Sequence, residues 1–82
     1  MKKEIDLANK LAKAIALLQT NTRMSVEQKV FIVMDKVAPY ELSVEDLQDI
    51  LHLDRGAIAP AVEQWAKLGY MQDRGGQIAR TP

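Results

Sequence analysis

Two helix starts lie so close together in this chain that they leave room for little but a short helix and a sharp turn. Ser43-Val44-Glu45-Asp46 starts a helix: Ser43 is its N-cap and Asp46 the acidic residue three positions on, and Leu42 and Leu47 stand where a hydrophobic staple needs them. Asp54 is placed to cap a second helix, with Leu53 and Ile58 as its staple. The apolar positions between the caps, Val44, Leu47, Ile50 and Leu51, fall on one helical face. His52-Leu53-Asp54 is then the turn. The helix from about Arg55 to Leu68 carries Ile58, Val62, Trp65 and Leu68 on one side, and Gly69 sits where its end needs positive φ. Tyr70 to Arg80 reads as a hairpin turning at Gly75-Gly76. With a short loop, Met71 and Ile78 share a face and pin the hairpin to the core, leaving Arg74 and Arg80 free.

Within this stretch several residues admit two readings. Trp65 lies on the apolar stripe, which favours core over a stacking platform. Glu45, Asp46 and Asp49 suit the positive end of a helix dipole; an acidic metal or partner site is the alternative. His52 near a helix end reads as a dipole partner rather than a catalytic base. Pro60 is too deep for a first turn and removes a bond to the Gly56 carbonyl, so either the helix starts nearer Ala57 or its first turn is bent.

Upstream, residues 3–19 predict a helix, with Ile5, Ala8, Leu11, Ala12, Ile15 and Leu18 at three- and four-residue spacing. Leu7, Ala14 and Leu17 widen its apolar arc. The arc suggests contact with a second chain through Leu7, Leu11, Ala14 and Leu18, in a homodimer; the alternative is a helix that roofs its own domain. Lys2, Lys3, Lys10 and Lys13 mark the polar side. A linker over 19–24 leads to Ser25-Val26-Glu27-Gln28, which has capping-box form, and a helix to about Ala38 before Pro39. Val26, Val30, Val33, Met34 and Val37 form its buried face. The run from Val30 to Met34 has strand-like composition, but the cap and the flanking polar residues favour helix.

Eighty-two residues make one domain, residues 1–82: an N-terminal helix over 1–20 and a core over 25–80. The fold class is mainly α with a small β-hairpin, in the order of a winged helix-turn-helix. No apolar run is long enough to span a bilayer, and the N-terminus lacks the apolar segment of a secretory signal. These features predict a cytoplasmic protein. With no cysteine, disulfides and thiolate zinc sites are excluded. Without such staples, so small a chain relies on its core or on a second subunit. No phosphate-binding glycine loop, nucleophile or metal cluster is evident, so no catalytic or metal-ligating residue and no cofactor is expected, and an enzyme is the least favoured class.

The segment LHLDRGAIAPAVEQWAKLGYMQDR resembles the winged-helix core of MarR-like bacterial and phage transcription regulators. The likeness spans roughly 25–80. Leu53, Asp54, Ile58, Val62, Trp65, Gly69 and Tyr70 occupy the family's stations, and the hairpin carries arginine as a wing does. The resemblance implies a regulator that binds duplex DNA, with Arg55, Gly56, Ala57, Ala59 and Gln64 offered by the recognition helix and Arg74 and Arg80 by the wing. Of the exposed stations, Arg55, Gln64 and Glu63 can reach a base edge. Gly56, Ala57 and Ala59 allow close approach without directional bonds.

Charge distribution bears on both readings of the surface. Net charge is zero. Residues 1–40 carry seven Lys or Arg against four acids; 41–54 carry five acids and no Lys or Arg; 55–82 carry four Lys or Arg against two acids. The wing and the first helix must therefore supply any footprint for nucleic acid, with the middle helix opposing it. The alternative expectation is a protein-interaction module using the same Arg55–Gln64 surface without DNA.

Overall fold

A computed structural model describes residues 2–82. Four helices and three short strands follow one another: α1 (Lys2–Thr20), α2 (Val26–Val37), β1 (Leu42–Ser43), α3 (Val44–Leu51), α4 (Arg55–Lys67), β2 (Met71–Arg74) and β3 (Gln77–Arg80). The result is mainly helical, with a small antiparallel sheet ordered β1-β3-β2. No helix among the described residues is long and apolar enough to cross a membrane.

The local signals set the element boundaries. Both capping boxes form: Ser25 with Gln28 and Ser43 with Asp46, each reciprocal. Asp54 Oδ1 accepts from the Ala57 amide at 3.0 Å and starts α4. The α4 end closes through Gly69 at φ 85°, where the Tyr70 amide donates back to the Trp65 carbonyl at 3.0 Å. The end of α3 closes in the same way, with the Leu53 amide donating to the Gln48 carbonyl at 3.3 Å, but there the left-handed residue is His52 at φ 56°. A side chain in that conformation costs more than glycine would. His52 therefore buys the sharp turn between α3 and α4 at some strain.

Pro60 does not delay the helix start to Ala57. The helix starts at Arg55 and runs through the proline to Lys67. Gly56 and Pro60 are both exposed, so solvent can reach the carbonyl that the missing amide leaves unpaired.

The core is built around α2. Val30, Val33, Met34 and Val37 have no exposure, and Ala14, Leu47, Ile58, Met71 and Ile78 meet them. Met71 and Ile78 do share the hairpin's inward face, and Gly75 and Gly76, at φ 63° and 95°, make its two-residue turn. The strand β1 was not expected from sequence. Leu42 pairs with Ile78 and Ser43 with Gln77, so the residues that begin α3 also form a sheet edge.

Helix α1 packs on α2, and here the expected dimer contact is corrected. Ala14 is fully buried, and Leu7, Leu11 and Leu18 pack half-buried against the same core. This set faces the chain's own domain because α2 covers it. Lys10 and Asp6 hold the other side of α1: the Lys10 ammonium donates to the Ala38 carbonyl at 2.8 Å, and the Tyr40 hydroxyl donates to Asp6 at 2.8 Å. That hydrogen bond to the carboxylate raises the Tyr40 pKa above its ordinary value of 10.0. Its contribution is present at neutral pH and is lost as pH rises through the raised pKa.

In urea unfolding, Ile78→Ala should cost about 2–4 kcal/mol because it empties a fully buried position. Ser43→Ala removes one cap and should cost about 1 kcal/mol. Equal effects would mean that β3 is not packed as described.

Candidate nucleic-acid interface

The exposed side of α4 is a stripe at helical spacing: Gly56, Pro60, Glu63 and Lys67, with Gln64 beside it. Ile58, Ala61 and Val62 are buried on the opposite side. Arg55 projects at the helix N-terminus, its side chain about 69% exposed. Ala57 and Ala59 flank the stripe and are half-buried, and the Ala57 amide is already committed to Asp54. Both therefore lie at the margin of the exposed stripe rather than on it. Lys67, which is not among the residues expected from the sequence, belongs to the stripe; its spacing of eleven residues from Gly56, three helical turns, is the signal that could have found it.

Neither Gly56 nor Pro60 is demanded by packing. A Cβ on Gly56 would meet nothing closer than Asp54 Oδ1 at 3.5 Å, an ordinary contact. Glycine and proline inside a helix both cost stability relative to alanine. The exposed side of α4 thus carries two residues that weaken the helix and fill no gap.

The hairpin separates its two arginines. β-strand alternation puts Gln72, Arg74, Gln77 and Ala79 on one face and Met71, Asp73, Ile78 and Arg80 on the other. Arg74 points outward: its guanidinium donates to Gln72 Oε1 at 2.8 and 3.1 Å and lies 3.8 Å from Glu41. Arg80 was expected to be free for DNA, and the structure corrects this. It shares the inward face with Ile78 two residues earlier, its Nε lies 3.0 Å from Asp35 Oδ1, and the guanidinium sits 5.4 Å above the Phe31 ring centre. It joins the sheet to α2.

Phe31 is also part of an aromatic cluster with Trp65 and Tyr70, at centroid distances of 4.9, 6.1 and 5.7 Å. The Trp65 indole donates to the Glu27 carbonyl at 2.8 Å. With one edge satisfied and the ring packed on the core, Trp65 ties α4 to α2 rather than offering a stacking platform.

Electrostatically the surface is mixed. Arg55 lies 3.9 Å from Glu45, Arg74 lies 3.8 Å from Glu41, and Lys67 stands one helical turn from Glu63. Pairs this long and exposed contribute little and are readily exchanged. Among the described residues, no group of three His, Cys, Asp or Glu gathers closely enough to hold a metal ion. Comparison with protein-family models finds no match, and neither the curated proteins nor the solved structures compared with the chain match it.

Arg80→Ala should destabilise the fold by about 1 kcal/mol or more, through loss of the Asp35 pair, the ring contact and the packed stem. Arg74→Ala should change stability by less than about 0.5 kcal/mol. Thermal or urea melts of the two variants compare them directly, and a reversed order would place Arg80 outside the fold.

Proposed function

We propose that the chain is a winged helix-turn-helix module that binds duplex DNA through the exposed side of α4 and the hairpin. The observation that carries this reading is the Gly56–Pro60 stripe, costly to the helix and unnecessary to the core. Local rules are most often broken where a surface has work to do. In this reading α4 enters the major groove. Gly56 lets the backbone of the first turn come close to a phosphate beside the Asp54 cap, which holds the Ala57 amide. Arg55 contacts phosphate or a base edge, Gln64 reaches a base edge, and Lys67 meets phosphate. Arg74 grips the backbone from the hairpin, while Arg80 stays in the fold. Glu45 and Glu41 give up Arg55 and Arg74 at small cost because both pairs are exposed.

With three cations per chain in contact, affinity falls with salt at a log–log slope of roughly −3 per bound chain. Fluorescence anisotropy of a labelled duplex at several salt concentrations measures it. Arg55→Ala and Arg74→Ala should each reduce the slope by about 1. Gly56→Ala should do two opposed things: raise stability by about 0.5–1 kcal/mol and weaken DNA binding. A flat salt response would remove DNA as the ligand.

A second reading has its own observation. Each cation on this surface stands near a carboxylate, so the face as a whole carries little positive potential. That favours a protein partner over a polyanion, docking on the Arg55–Gln64 surface. Absence of salt-sensitive DNA binding, together with a purified partner whose affinity falls with Arg55→Glu or Pro60→Arg, would establish it.

A further inference from the structure

Pro60, Glu63, Gln64 and Lys67 occupy the i, i+3, i+4 and i+7 positions of α4 and are all exposed, so they form one continuous outward face. Arg55 and Lys67 stand at the two ends of the helix, about 18 Å apart along its axis. Glu63 lies between them and is the one acid on α4. Lys67 is one turn further on, yet no hydrogen bond or ion pair holds the Glu63 side chain among the described residues. The fold makes no demand for an acid here either, since lysine or glutamine would suit an exposed helix position as well.

A carboxylate is out of place on a face that meets phosphate unless it finds a donor there. The major groove is about 12 Å wide. Cations about 18 Å apart along the helix therefore reach its phosphate walls, while the middle of the face lies over the base edges. That groove presents two base-edge donors, the N4 amino group of cytosine and the N6 amino group of adenine; guanine and thymine offer acceptors. Adenine sets its N7 lone pair beside N6, where a carboxylate, having acceptors alone, is repelled. Resting on the DNA reading above, we infer that Glu63 is the specificity-determining residue of this face and accepts a hydrogen bond from the N4 amino group of a cytosine in the bound duplex. Its charge acts in two directions. It favours a C·G pair beneath the centre of α4, and it opposes any docking that brings a phosphate or another acceptor to that point.

Selection of duplexes from a randomised library by the parent chain and by Glu63→Gln tests the assignment. Fluorescence anisotropy then follows on the selected duplex and on versions with one base pair changed. The parent should keep a cytosine at one position and bind that duplex about tenfold more tightly than the version with T·A there. Glu63→Gln places a donor beside the acceptor, so its preference at that position should move to adenine, with the other positions unchanged. It should also bind random duplex more tightly, because one like charge is gone. A circular-dichroism melt should match the parent's, since the substituted side chain is exposed. A parent without a cytosine preference, or the same preference in Glu63→Gln, would overturn the inference, and salt-sensitive binding of random duplex would leave the DNA reading standing. A flat salt response with random duplex would remove the DNA reading and this inference with it.

Discussion

The burial of Ile78 sets the rest of the structure. It sits without exposure in the central strand, opposite Leu42 on one side and Asp73 on the other. Its register therefore fixes where α3 begins, because Leu42 and Ser43 are at once a sheet edge and the staple and cap of that helix. The same register fixes the two arginines of the hairpin. With Ile78 inward, Arg80 must also turn inward and Arg74 outward, since a one-residue slip would reverse every side chain. The division between the arginine that holds the fold and the one left outward follows from one packed isoleucine.

Features written into neighbouring residues were legible in the sequence. Ser25, Ser43 and Asp54 announced three helix starts, Gly69 one helix end and Gly75-Gly76 one turn, because each signal acts within a few residues of itself. The strand Leu42–Ser43 was not legible: two residues carry no periodicity, and their pairing depends on a segment far down the chain. Arg80 was misread for a related reason. The alternation that turns it inward could be read locally, but the Asp35 carboxylate and Phe31 ring that accept it lie on α2. Helix α1 showed one wide apolar arc, and only the position of α2 decides which part of it is covered.

Two surfaces remain once the core is accounted for, and they differ in kind. The outer side of α4 is small, polar and partly at odds with helix formation, with arginines at its margins held by weak pairs. The outer side of α1 is apolar and regular. A nucleic acid suits the first through backbone approach and a few exchangeable cations.

The proposed DNA face is tested most directly by amide chemical-shift mapping of the labelled chain during titration with a duplex. The account predicts shifts at Arg55, Gly56, Gln64 and Lys67 and at the Arg74 turn, with the amides around Arg80 and Asp35 undisturbed. Shifts that gather on α1, or no shifts at duplex concentrations that saturate a weak binder, would contradict it.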